Sequence, residues 1–175
     1  MAKGLPRSLR NAGLTVPQGN SGIVSRTVVI NEIIDVTATG AAVGFGSIAT
    51  GLGFRQGNFI RLGLVANLSF TSLDSNAIAA WQGDYGIGTT AVNATTFDPA
   101  DNNFLSSQAL SATGGVVAKS RDAENANITV LDLTASDVGL FLNMLVDAAS
   151  ISDSTTAQFR VEGDISFAGV VLGDD

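Results

Sequence analysis

Apolar and polar residues alternate with a period of two through most of the chain after residue 22, which is the period of a half-buried β-strand. Residues 158–172 show it most clearly, because one set of alternate positions is apolar and the other carries Arg160, Glu162 and Asp164. The apolar set is Phe159, Val161, Gly163, Ile165, Phe167, Gly169 and Val171. The pattern predicts a long strand with one face in the core and the other in water.

Three further segments repeat this alternation. In residues 59–73 the apolar positions are Ile60, Leu62, Leu64, Ala66, Leu68 and Phe70. Arg61 and Asn67 then belong to the solvent-facing side. In residues 140–147 the apolar positions are Leu140, Leu142, Met144 and Val146, and in residues 81–87 they are Trp81, Gly83, Tyr85 and Ile87. Asn143 is predicted to be exposed. Shorter strands are predicted at 42–50, 116–119 and 127–133.

Residues 23–37 differ, because their apolar side chains fall on both faces of the predicted strand. These side chains are Val28, Val29, Ile30, Ile33, Ile34 and Val36. A strand covered on one side by its own sheet then needs a second partner, either the opposite end of the chain or another subunit. The sequence leaves both possibilities open.

About eight strands, little helix and glycine-rich turns predict an all-β fold, an antiparallel two-sheet sandwich of the jelly-roll kind. Residues 23–175 would form this domain. Residues 1–22 contain too many glycines and prolines for a helix or a central strand, so they are predicted to form an extended N-terminal arm.

The predicted arm combines basic and apolar side chains, which favours docking on a neighbouring subunit or another protein. The candidate docking residues are Lys3, Leu5, Arg7, Leu9, Arg10, Leu14 and Val16. The alternative is a frayed terminus whose leucines fold back onto the domain.

Charge is unevenly distributed along the chain. Residues 1–31 carry +4 and the remainder carries −11, which together give the net charge of −7. An acidic body repels phosphate backbones, so we expect no nucleic-acid partner. The sequence has no apolar run of membrane-spanning length and no apolar signal core near its beginning, so we expect neither a membrane partner nor an export signal.

Composition and spacing leave little room for catalysis or cofactor binding. The chain has no cysteine and no histidine, which excludes disulfides, Cys/His zinc sites and Ser/His or Cys/His catalytic pairs. Gly86–Ala91 and Gly44–Ala49 match a relaxed dinucleotide-binding pattern, but neither is followed by a helical pattern. We expect no catalytic residue, no cofactor and no enzymatic activity.

Two groups of residues carry carboxylate or amide oxygens close together in the sequence. Glu162 and Asp164 lie two apart on one strand face, a spacing that suits a glycosidase, but that face is predicted to be solvated. Asp98, Asp101, Asn102 and Asn103 offer oxygen ligands without calcium-loop spacing, so a polar turn is the favoured interpretation. We expect no metal site.

Residues 131–137 (LDLTASD), 140–147 (LFLNMLVD), the end of the chain at 170–175 (VVLGDD) and 81–90 (WQGDYGIGTT) resemble the capsid decoration, or cement, proteins of tailed bacteriophages. The resemblance implies a β-sandwich or jelly roll that is made in the host cytoplasm and binds the outer surface of the phage head. It implies homotrimers that bridge subunits of the major capsid protein and stabilise the shell. A receptor- or glycan-binding head fibre or spike module is the alternative.

Overall fold

The computed structural model describes residues 23–38, 43–54, 58–73, 81–112, 117–124, 129–132, 138–147 and 156–172. Its regular elements are all β-strands, as the period of two predicts. They are β1 (Ile23–Ala38), β2 (Val43–Phe54), β3 (Asn58–Ser72), β4 (Trp81–Gly88), β5 (Leu105–Ala112), β6 (Val117–Glu124), β7 (Thr129–Asp132), β8 (Val138–Asp147) and β9 (Thr156–Leu172).

The strands form an antiparallel jelly roll, which confirms the predicted fold class. They are hydrogen-bonded in the order β5-β4-β8-β2-β1-β9-β3-β6, and β7 pairs with β3. β1 and β2 are joined only at Thr37 and Ala38, opposite Phe45 and Gly44. The path therefore bends there into two four-stranded sheets, β5-β4-β8-β2 and β1-β9-β3-β6. β5 and β6 approach each other at the opposite side and nearly close the barrel.

The first and last strands of the domain are partners over their whole length. β1 pairs with β9 from Ile23 opposite Val170 to Thr37 opposite Thr156. The opposite end of the chain joins strand 23–37 edge to edge in one sheet, but the second apolar face of this strand stays exposed at Val29 and Ile33. This pairing lies at the β1 end of the β1-β9-β3-β6 sheet and ties the two ends of the domain together.

The core lies between the two sheets and contains the predicted large apolar residues of β4 and β8, those of β9 up to Phe167, and those of β3 from Leu64 onward. Aromatic rings hold the sheets in contact. Trp81 on β4 packs edge-to-face on Phe159 of β9, with ring centroids 4.9 Å apart. Phe70 on β3 packs against Tyr85 on β4 at 5.0 Å. These four residues are at most 1% exposed, so the tryptophan and the tyrosine are core residues.

One predicted face is wrong at the beginning of β3. Arg61 is buried, with 3% of its surface exposed, and Leu62 is exposed. The register of β3 against β9 shifts between Arg61 and Gly63. A bulge of this kind adds a residue to one strand and reverses which side chains face the core. Arg61 donates from Nη1 to the carbonyls of Asn103 at 3.3 Å and Phe104, and so ties β3 to the chain that leads into β5.

Candidate functional site

The residues that the sequence singled out for docking lie outside the described part of the structure. They are Lys3, Leu5, Arg7, Leu9, Arg10, Leu14 and Val16. Docking through these residues stays a prediction. The candidate functional surfaces within the described residues are the outer faces of the two sheets.

Five large apolar side chains are exposed among the described residues, and all five lie on the outer face of the β1-β9-β3-β6 sheet. We call this set the apolar outer face; it consists of Val29, Ile33, Leu62, Val65 and Leu73. Val29 is 76% exposed. Sequence analysis placed Val29 and Ile33 on the second face of their strand, whereas Leu62 reaches this face only because of the bulge in β3. Apolar side chains grouped on one face are typical of protein interaction surfaces.

Short polar side chains fill the space between these apolar residues and bond across the strands. Thr27 and Ser166 share a hydrogen bond of 2.7 Å between their hydroxyls. Gln158 donates from Nε2 to Oδ1 of Asp35 at 2.8 Å, which again joins β9 to β1. These hydrogen bonds join the outer-face side chains of β1 and β9.

The two acids considered for glycosidase chemistry lie on this same face. Glu162 is exposed, and Asp164 accepts a hydrogen bond from Nδ2 of Asn67 at 3.3 Å. The prediction that this face of β9 is solvated is therefore confirmed. Beside them lies a shallow depression of about 410 Å³, lined by Asn67, Leu68, Ser69, Ser120, Arg121, Glu162 and Gly163.

Gly163 allows β9 to lie this close to β3 at the depression. Its φ of 145° is one that residues with a side chain rarely adopt. A Cβ atom there would also come within 2.1 Å of the carbonyl oxygen of Asn67. The glycine thus has a backbone role in the sheet.

The outer face of the other sheet is covered by the long connection between β4 and β5, residues 89–104. Gly86 and Gly88 make the contact possible. A Cβ atom at Gly88 would lie 2.2 Å from the carbonyl oxygen of Ala100, and one at Gly86 would lie 2.8 Å from Cβ of Asn102. The dinucleotide-like spacing at Gly86 therefore reflects close packing of a loop on a strand, and no helix follows it in the described chain.

The second dinucleotide-like match has a similar structural cause. Gly46 lies on β2 beside the bend between the sheets. A Cβ atom on it would come within 2.3 Å of the carbonyl oxygen of Asp35 and 2.8 Å of Cγ2 of Ile34. The glycine is needed where β2 turns away from β1.

Asn143 anchors the covering connection to β8. Its side chain is fully buried although the alternation predicts exposure, because residues 89–104 cover it. Its Nδ2 donates to the carbonyls of Asp101 at 2.7 Å and Thr90 at 2.8 Å, and its Oδ1 accepts from the amide of Val92 at 3.0 Å. One side chain therefore satisfies three backbone groups that the connection brings out of water.

The acidic residues of this connection form the predicted polar turn. Both carboxylate oxygens of Asp101 accept bonds within the connection, from Oγ1 of Thr90 at 2.5 Å and from the amide of Asp98 at 3.0 Å. Asn103 donates to Oγ1 of Thr89 at 3.1 Å and accepts from its amide at 3.2 Å. The carboxylate of Asp101 and the side-chain amide of Asn103 thus stabilise the turn.

A buried polar cluster lies where β4 meets β6 inside the sandwich. The Tyr85 hydroxyl donates to Oδ2 of Asp122 at 2.6 Å, and the Ser120 hydroxyl donates to the same oxygen. Burial raises the pKa of Tyr85 above its ordinary value; the bond to Asp122 raises it further, and Ser120 lowers it by less. The phenol therefore stays protonated in the folded protein and serves as a structural donor.

Within the described residues, no three acidic side chains converge closely enough to hold a metal ion. The described chain also contains no helix long and apolar enough to cross a membrane.

No protein-family model and no curated protein matches the chain. Among solved structures it is similar to infectious bursal disease virus, Gx strain, with 11% identity, a TM-score of 0.36, and coverage of 87% of this chain and 32% of that one. It is also similar to the VP2 subviral particle of infectious bursal disease virus, with 9% identity, a TM-score of 0.37, and coverage of 85% and 33%. The chain spans about a third of the length of these structures.

Proposed function

We propose that this protein is a structural component of a virion, a decoration protein that binds the outer surface of a bacteriophage head. In this proposal homotrimers bridge neighbouring subunits of the major capsid protein and stabilise the expanded shell. The proposal assigns the protein no catalytic activity and no cofactor.

The apolar outer face is the observation that carries the proposal. Apolar side chains on β1 and β3, with the polar side chains of β9 between them, form a mixed surface of the kind that protein interfaces have. The sheet beneath is held together by the long β1–β9 and β3–β9 pairings. A rigid face binds without the entropic cost of ordering a loop.

The charge distribution and the resemblance to cement proteins support the same function. Residues 32–175 carry −11, which favours a soluble surface that keeps away from DNA. Each copy that touches two shell subunits would lower the free energy of the assembled shell relative to its separated parts. A basic arm at Lys3, Arg7 and Arg10 would add a second contact on the same particle.

The alternative, a glycan-binding module, gains no support from the single tryptophan and the single tyrosine of the chain. Sugars stack on exposed aromatic rings, but Trp81 and Tyr85 are 1% and 0% exposed. Both belong to the core between the sheets.

Binding to the shell is tested by adding the purified protein to particles that have been stripped of it. Leu62→Lys and Val65→Lys place a charge on the apolar outer face, and Ser111→Lys places the same charge on an exposed position of β5. We expect wild type and Ser111→Lys to bind to saturation, and the two β3 variants to lose most of their binding. Failure of the wild type to bind, or equal binding by all four proteins, would contradict the proposal.

A further inference from the structure

The second edge of β1 has no strand partner over residues 25–33 in the described part of the structure. β9 occupies one edge of β1 along its length, while β2 joins the other edge only at Thr37 and Ala38. The free backbone groups of such an edge are a template for pairing with another strand. Val29 lies in the middle of this edge and is 76% exposed.

The charges on β1 are arranged symmetrically about Val29. Arg26 lies three residues before it and Glu32 three residues after it. Neither side chain is buried, and neither forms an ion pair with a described residue. If a second β1 lies antiparallel with Val29 opposite Val29, each Arg26 falls opposite a Glu32, once on either side of the axis.

Other registers lose this match. Directly opposed residues must point to the same face of the sheet, so an antiparallel register can change only in steps of two residues. A shift by one step puts Arg26 opposite Ile34 or Ile30, so that both charges face apolar partners. A parallel pairing in register puts Arg26 beside Arg26 and Glu32 beside Glu32, which is repulsive.

We propose that a second copy of this chain pairs with β1 along this edge, antiparallel and around a two-fold axis at Val29. The β1-β9-β3-β6 sheets of the two copies then become one continuous sheet, with Val29 packed against its symmetry mate. The contact goes beyond binding to a shell, because it needs only the protein itself. On a shell it would link neighbouring decoration units, where high local concentration would strengthen it.

Cysteine cross-linking tests the register directly, because the natural chain contains no cysteine. In Val29→Cys the two Cβ atoms lie about 4.5–5.5 Å apart across the axis, within reach of a disulfide or a short bis-thiol reagent. In Thr27→Cys alone the two thiols are about 13 Å apart along the strands. Thr27 of one copy lies opposite Asn31 of the other.

We expect a covalent dimer from Val29→Cys and from a mixture of Thr27→Cys with Asn31→Cys, and none from either member of that mixture alone. Val65→Cys is the control, since it is exposed on the same sheet face but lies on β3. Absence of the Val29→Cys dimer, or equal cross-linking by Val65→Cys, would overturn the proposal.

Charge reversal tests the ion pairs by sedimentation of the full chain over a range of concentrations. Arg26→Glu and Glu32→Arg should each weaken self-association about tenfold or more, because like charges then face each other twice. A mixture of the two variants should associate as well as wild type, since both pairs are restored in the heterodimer. Failure of the mixture to recover would overturn the two-fold register.

Hydrogen exchange identifies a competing occupant. If residues 1–22 of the same chain covered this edge, the amides of residues 25–33 that point away from β9 would be protected in dilute, monomeric protein. We expect those amides to exchange rapidly when the protein is dilute and slowly when it is concentrated. Equal protection at both concentrations would overturn the proposal and leave the shell-binding test unaffected.

Discussion

Asn143→Asp tests most sharply whether Asn143 holds residues 89–104 on the outer face of the β5-β4-β8-β2 sheet. It changes one NH₂ group into an oxygen and leaves the size of the side chain almost unchanged. The new oxygen would face the carbonyls of Thr90 and Asp101, which now accept bonds of 2.8 and 2.7 Å. Only the bond from the Val92 amide would survive.

The cost follows from the buried position of this side chain. Two hydrogen bonds are lost, two buried carbonyls lose their donor, and a carboxylate is placed where no water reaches it. Unsatisfied buried groups cost about 1–3 kcal/mol each, so we expect the free energy of unfolding to fall by about 3–5 kcal/mol. Asn93→Asp makes the same change at an exposed position of the same connection and should stay within about 0.5 kcal/mol of wild type.

Urea unfolding at neutral pH measures both values, with the slope of the transition checked for two-state behaviour. Hydrogen exchange of residues 89–104 should report the same loss, because these residues are expected to open first. A decrease below about 1 kcal/mol for Asn143→Asp, with the connection still protected, would refute the claim that Asn143 anchors it.

Three further predictions concern other contacts. Gly88→Ala should destabilise the protein by about 1–3 kcal/mol, because its methyl group would collide with the carbonyl of Ala100. Gly53→Ala should change the melting temperature little, because a Cβ atom there meets only the carbonyl oxygen of Val138 at an ordinary contact distance of 3.7 Å. Arg61→Met should cost about 2–4 kcal/mol in chemical unfolding, because it removes the bonds that Arg61 donates to the carbonyls of Asn103 and Phe104. Tyr85 is the single tyrosine of the chain, so native protein should show no tyrosinate absorbance at a pH where unfolded protein does. Because folding raises the pKa of Tyr85, its contribution to stability is complete below about pH 10 and is lost as the pH rises beyond that.

The alternation of apolar and polar residues predicted the long strands and most of their core residues. Successive side chains of a strand point to opposite faces of the sheet, so a sheet with one solvated face needs apolar residues at every second position. The predicted core residues of β4 and β8 are all buried, but Asn143 and Leu145 on the other face of β8 are buried as well. The pattern also predicted that β1 is apolar on both faces, and Val29 and Ile33 are indeed exposed on the outer one.

The facing of Arg61 and Leu62 and the existence of β5 could not be predicted from alternation. Both lie at irregular strand pairings, where one extra residue changes which of two successive side chains faces the core. At the bulge of β3 it turns Arg61 inward and Leu62 outward. Sequence analysis missed β5 for the same reason. Its buried residues are Leu105, Leu110 and Ala112, and their parity changes because the β4–β5 register shifts between Tyr85 and Ile87.

Contacts between residues distant in sequence could not be predicted from a local pattern either. The burial of Asn143 depends on a connection some fifty residues earlier, and no local pattern marks a polar residue that another segment will cover. The two-fold symmetry of charge about Val29 was present in the sequence, but it gained meaning only when the structure showed which edge of β1 has no partner.

Quantitative mass spectrometry of gradient-purified particles tests the central claim most directly, by comparing copies of this chain with copies of the major shell subunit. A decoration protein that bridges shell subunits should be present at a ratio approaching one to one. A few copies per particle would contradict that role and indicate a fibre or vertex protein, and absence from particles would contradict a structural role in the virion.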